Sequence, residues 1–222
     1  MAKFEKANSV GEWLEQRLNI KAINKVMMTE YWIPKDINFL WAMGVLLATT
    51  FTILVISGLF LMMYYKPDIN LAFDSVNYTI MQEVAFGWLF RHIHGVAASV
   101  IFLIIYIHML TGIYYGSYKQ GREMIWISGM LLFVTFSAAG FSGYMLPWGQ
   151  MSYWAAMVIT NLFGGVPVIG DALVVWIRGD FNVADATLTR FFMLHVFLLP
   201  IAIMGLIGLH FYTLRIPHVN NQ

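Results

Sequence analysis

Four histidines are the residues in this sequence whose type and spacing could do chemistry. His94 and His108 stand 14 residues apart, and His195 and His210 stand 15 apart, each pair inside a long apolar stretch. On an α-helix these intervals are rises of about 21 Å and about 22 Å; the first returns close to one face and the second leaves a modest rotation. Polar groups at membrane depth are costly, so function is the default reading for them. A single histidine there is explained as well by a hydrogen bond to a neighbouring helix. The pattern of four changes that balance, because across the bundle His94 can face His195 and His108 can face His210. Each pair can offer two axial imidazoles to a planar low-spin haem. A bis-histidine haem has no open coordination position, so it carries electrons rather than binding oxygen. Irons about 20 Å apart along the helix axis leave macrocycle edges closer than that, compatible with electron tunnelling across a membrane.

Other residues repeat the interval. Gly44 and Gly58 are 14 apart on the first apolar stretch, and Gly129 and Gly143 are 14 apart on the third. A glycine lets a flat macrocycle approach the backbone where any side chain would collide. Close packing of small residues explains one glycine equally well, whereas the shared interval favours haem contact. Arg91 and Arg190 precede the outer histidines by three and five residues, and Arg215 follows His210 by five. A guanidinium pairs well with a haem propionate, with interfacial snorkelling as the alternative. His92 and His218 do not fit the ligand spacing.

The elements that must position these residues are membrane helices. Hydrophobic residues make up 59% of the 222 and charged residues 11%, with mean hydropathy +0.68, which leaves too little polar surface for a soluble domain of this size. Uncharged runs exceed the roughly 20 residues needed to cross a bilayer. The expected fold is an all-α integral membrane bundle of four transmembrane helices, at about 39–65, 84–115, 124–146 and 189–214. Pro147-Trp148-Gly149 breaks the long third run, so shorter surface helices are expected over about 150–180. The four-helix domain covers 39–218. Residues 1–38 are a polar surface segment, amphipathic around Trp13, Leu14, Leu18 and Ile20 and without a cleavable signal, and 219–222 form a tail. The absence of cysteine excludes disulfides, iron–sulfur ligation and covalent haem attachment through Cys-x-x-Cys-His. A net charge of +1 gives no reason to expect nucleic acid. Nine of the thirteen Lys and Arg residues fall on the side of the termini, so both termini are expected in the cytoplasm.

These residues resemble the cytochrome b subunit of quinol–cytochrome c reductases, the cytochrome bc complexes. The resemblance runs from about Glu12 to Asn221. It is carried by Arg91-His92-Ile93-His94-Gly95, by Gly112-Ile113-Tyr114-Tyr115-Gly116-Ser117-Tyr118, by Gly143-Tyr144-Met145-Leu146-Pro147-Trp148-Gly149-Gln150-Met151-Ser152, and by Ala186-Thr187-Leu188-Thr189-Arg190-Phe191-Phe192. It implies two non-covalent b-type haems in a bacterial inner membrane. Quinol is oxidised near the outer haem, and one electron goes to a Rieske iron–sulfur protein and on to cytochrome c1 or an equivalent c-type cytochrome. The other crosses through the outer to the inner haem and reduces a second quinone, with protons released outside and taken up inside. The resemblance further implies that Tyr144, Pro147, Trp148, Gly149, Gln150, Tyr153 and Trp154 line the outer quinone site, that Trp41 and Asn220 border the inner one, and that the complex is a homodimer.

Three departures from the family pattern matter. Mitochondrial members have glycine where this chain has Ala155, and the added methyl narrows the outer pocket. A strobilurin-type inhibitor that needs that space is therefore expected to bind weakly; full potency in an inhibition assay would count against this. The 15-residue interval of the fourth helix is like that of the short chloroplast cytochrome b. The sequence also lacks the Pro-Glu-Trp-Tyr motif of long members, whose glutamate helps deprotonate quinol, so the expectation is either a separate C-terminal subunit or a truncated long chain. Two other readings stay open: a dihaem membrane anchor of a hydrogenase or formate dehydrogenase, whose histidine arrangements differ, and a non-redox membrane protein using histidines as a proton relay.

Overall fold

The computed structural model describes residues 8–25, 38–119 and 121–215, and these are helical almost throughout. At the N-terminus α1 (Val10–Leu18) is capped by Ser9, whose hydroxyl accepts from the Glu12 N–H. It ends where Asn19 turns left-handed, and α2 (Ile20–Asn24) follows. Four helices are long and apolar enough to cross a membrane: α3 (Phe39–Met62), α4 (Gly87–Tyr114), α5 (Glu123–Met145) and α8 (Asp185–Arg215). Between α5 and α8 lie two shorter helices, α6 (Gln150–Leu162) and α7 (Gly170–Arg178).

The membrane helices pack as two hairpin-like pairs, α3 on α4 and α5 on α8. Their outward faces present Val45, Leu103, Val134 and Phe197, as expected for helices solvated by lipid rather than water. Between the pairs lies a core of Ile101, Ile105, Phe136 and Ile203, flanked by Phe51 and Leu132. The rings of Phe51 and Phe136 meet edge to face at 5.6 Å, a preferred geometry for aromatic pairs. Ile101 and Phe136 each sit seven residues from the histidine or glycine on either side of them, and Phe51 does the same on α3. This core is therefore a mid-membrane layer between two levels at which histidines and glycines gather.

Two helix starts and one internal turn differ from the sequence expectation. Helix α4 begins at Gly87 rather than near 84, because Val84 is extended and Phe86 is left-handed at φ 60°. Gly87 is required there, since a Cβ would overlap the Ile80 carbonyl. Helix α8 begins at Asp185 rather than near 189: the Ala184 N–H donates to Thr187 Oγ1 at 3.1 Å, which closes the first turn.

The third difference lies inside α8, where Leu194–Leu198 widens into a π-helical turn. Pro200 supplies a cause, because proline has no N–H to give and its ring presses on the carbonyl four residues earlier. A π turn absorbs one extra residue. The 15-residue interval from His195 to His210 thus behaves like 14, and the rotation expected from the sequence is removed.

The surface helices are held beneath α5 and α8 by a second cluster of Met145, Ala156, Val183 and Phe191. Arg178, 5% exposed, ties α7 to α6. Its Nε donates to Thr160 Oγ1 and its Nη2 to Asn161 Oδ1, both at 2.8 Å, and its Nη1 to the Phe181 carbonyl at 3.2 Å. A buried guanidinium is tolerated only when its donors are spent in this way.

Candidate functional site

Helices α4 and α8, the second and fourth spans, run parallel and bring their histidines together in two pairs. The ring centres of His94 and His195 lie 6.2 Å apart, and those of His108 and His210 lie 6.4 Å apart. That separation can be tested against a metal between the rings. An imidazole nitrogen lies about 1.1 Å from its ring centre and about 2.0 Å from a metal it ligates. Two imidazoles on opposite sides of one metal therefore have centres about 6.2 Å apart, and both pairs match. Among the described residues no group of three His, Cys, Asp or Glu side chains gathers to hold a bare ion. Each pair offers two opposed imidazoles, a set that suits a metal whose other ligands arrive with it, as in a haem.

The hydrogen bonds leave the inward nitrogens available. His94 Nδ1 lies 2.9 Å from Ser57 Oγ, His210 Nδ1 lies 2.9 Å from Ser128 Oγ, and His195 Nδ1 donates to the Ala139 carbonyl at 2.9 Å. No hydrogen bond among the described residues engages an Nε2 of the four. Anchoring of one ring nitrogen so that the other can ligate is the usual arrangement around metal-bound histidine.

Each of the four glycines faces one of these rings. A Cβ at Gly58 would stand 3.2 Å from His94 Cε1, at Gly129 3.3 Å from His210 Cε1, and at Gly44 3.9 Å from His108 Cε1; at Gly143 it would overlap the His195 imidazole. The sequence suggested that the glycines make room for the macrocycle. In the structure the space they leave is filled by the imidazole edges, so they set how far each ring can swing toward its own side of the bundle.

The arginines are placed less simply. Arg91 lies along its own helix against Gly95. Arg190 is exposed and reaches over Gly179 to donate to the Trp176 carbonyl. Arg215 closes α8, five residues past His210.

Of the residues assigned by resemblance to the outer quinone site, Pro147, Trp148 and Gly149 form the turn between α5 and α6, with Trp148 left-handed at φ 51°. The Trp148 ring meets that of Tyr153 edge to face at 6.2 Å. Trp154 Nε1 donates to Gln150 Oε1 at 3.2 Å, and Tyr144 is held through its carbonyl, which accepts from Ser152 Oγ at 2.9 Å. Tyr65, at the end of the first span, donates to the Leu146 carbonyl at 2.7 Å and fixes this turn to the rest of the bundle. Beside it is a cavity of about 210 Å³ lined by Phe73, Asn77, Arg91, His92 and Pro147 among others. His92 thus faces a cavity next to the Pro147 turn. At the opposite end, Trp41 stacks on Tyr115 with ring centres 5.7 Å apart. Asn220 and His218 lie outside the described residues.

Sequence reasoning missed the two serines at the histidines. A signal was present: serine immediately precedes glycine at Ser57-Gly58, Ser128-Gly129 and Ser142-Gly143, three of the four glycine positions. It missed the role of Arg178 as well.

Residues 28–217 match the family model described as Cytochrome b/b6/petB. The chain is similar to a protein named Cytochrome b from Allochromatium vinosum, 46% identical over 94% of this chain and 50% of that protein. It is also similar to one named Cytochrome b/c1 from Bradyrhizobium diazoefficiens, 41% identical over 98% of this chain and 31% of that protein. Among solved structures it resembles a chain of a hyperthermophilic respiratory Complex III, with TM-score 0.81 and 40% identity over 96% of this chain and 56% of that one. The chain spans about half the length of the cytochrome b relatives it matches.

Proposed function

Because the chain belongs to the cytochrome b family, we propose that it is the dihaem, electron-carrying part of a quinol–cytochrome c oxidoreductase of the complex III type. The observation that carries this reading is the pair of opposed imidazoles, 6.2 and 6.4 Å between centres, at the separation two axial ligands of one iron require. When bound, each b-type haem would supply a one-electron couple, held by its pair of histidines.

The chain's own residues do the rest. His94 and His195 hold the outer iron, and His108 and His210 the inner. Gly44, Gly58, Gly129 and Gly143 leave the rings room to lie at ligating distance. Arg91, Arg190 and Arg215 answer the propionate charges at the two membrane faces. Tyr144, the Pro147–Gln150 turn, Tyr153 and Trp154 take quinol on the outer side, where its two electrons part: one leaves to a Rieske iron–sulfur protein and cytochrome c1, the other enters the outer haem. Trp41 and Asn220 border the inner quinone, where the second path ends. Protons released outside and taken up inside couple the path to proton translocation. The complex is a homodimer in a bacterial inner membrane, with both termini cytoplasmic.

A redox titration of the membrane complex tests this. Two b-type haems of distinct midpoint potential are expected, the inner one sensitive to an antimycin-type inhibitor. A dithionite-reduced spectrum without a b-type α-band would sink the reading.

A further inference from the structure

We propose that Ser57 and Ser128 are positioning residues that each set the reduction potential of one haem, Ser57 through His94 and Ser128 through His210. This rests on the ligation proposed above. Both serines are 2% exposed, and each lies on a helix that carries no ligand, directly before the glycine that faces the same histidine.

The direction of each hydrogen bond follows from counting protons. Ser57 Oγ lies 2.6 Å from the Ile53 carbonyl and 3.2 Å from that of Leu54, and Ser128 Oγ lies 3.0 Å from that of Ile125. Carbonyls only accept, so each hydroxyl has spent its one hydrogen on its own helix. Toward the imidazole Nδ1, 2.9 Å away in both cases, the serine oxygen can then only accept. The Nδ1 must carry the hydrogen, which leaves the Nε2 lone pair for iron. Thr213 Oγ1, 3.5 Å from Ser128 Oγ, donates to the His210 carbonyl and does not alter the count.

An acceptor at Nδ1–H makes the imidazole a more basic ligand. A more basic axial ligand favours the ferric state and lowers the potential. The device is unsymmetrical within each haem. The opposite ligand of the outer pair, His195, donates to a backbone carbonyl that no side-chain change removes. His108 has no ring hydrogen bond among the described residues. One serine therefore tunes one haem.

The test uses the intact membrane complex, with each haem titrated optically and its low-spin electron paramagnetic resonance signal recorded. Ser57→Ala is expected to raise the outer haem's potential, changing its reduced-to-oxidised ratio at fixed potential by about tenfold, or about 59 mV, with the inner haem unmoved. Ser128→Ala is expected to do the mirror image. Ser57→Thr, which keeps an acceptor oxygen, should restore the wild-type value. Ser57→Cys and Ser128→Cys, nearly isosteric with weaker acceptors, should shift the same haem in the same direction by less, and they serve where an alanine variant does not assemble. Unchanged potentials would overturn the proposal. Equal movement of both haems in every variant would overturn it too. Absence of two b-type haems from the wild-type complex would instead defeat the ligation reading itself.

Discussion

Replacing His94 or His195 with leucine is expected to remove the outer haem and leave the inner one, halving the haem bound per chain. His108→Leu or His210→Leu should do the reverse. Leucine keeps the apolar volume that a membrane helix needs, so the loss falls on ligation rather than insertion. The selectivity follows from the two ring pairs being separate, with Ile101, Phe136 and Ile203 buried between them. His92→Leu is the control: His92 is exposed with its Nδ1 on the Trp88 carbonyl, and both haems should survive its loss. Haem content and α-band spectra of the purified variants decide the matter. If all four ligand variants lost one and the same signal while remaining folded, the pairing would be wrong.

The second large effect is steric and graded. At Gly143 any Cβ overlaps the His195 ring, so Gly143→Ala should push that imidazole out of ligating position and abolish outer haem binding. Gly58→Ala and Gly129→Ala bring a methyl to 3.2 and 3.3 Å of a ring carbon. Such overpacking costs about 1–3 kcal/mol and should lower occupancy of the outer and inner haem respectively. Gly44→Ala meets His108 at 3.9 Å, ordinary contact distance, and should retain both haems. The order matters more than any single value. Haem loss in Gly44→Ala as severe as in Gly143→Ala would show that ring clearance does not govern these positions.

The four spans were legible because nothing but a bilayer solvates such long uncharged runs, and the opposition of the rings followed from histidine intervals on the second and fourth spans. The family was legible from short motifs such as the one through Pro147-Trp148-Gly149-Gln150. What escaped was decided by contacts between helices. The phase of His195 depends on a widened turn near Pro200, and a proline within a helical stretch signals a kink without saying that one residue will be absorbed. Ser57 and Ser128 look like serines satisfied by their own helix, and they are; that each also meets a histidine on another helix is tertiary information. The same holds for Arg178, whose partners Thr160 and Asn161 lie on a different surface helix.

In the function proposed above, the layer formed by Phe51, Ile101, Phe136 and Ile203 would also separate two kinds of traffic. A proton moving through a membrane protein needs an unbroken relay of hydrogen-bonding groups or water, because an ion placed in hydrocarbon costs tens of kcal/mol. An electron tunnels and needs no such relay. The side chains clustered at mid-membrane are aliphatic and aromatic, so a proton starting at His94 finds no stepping stone toward His108 through them. In the function proposed above, the same few side chains that lie between the two histidine levels would keep the bundle tight against proton leak, so that the voltage built by moving electrons one way would not be short-circuited along their own path.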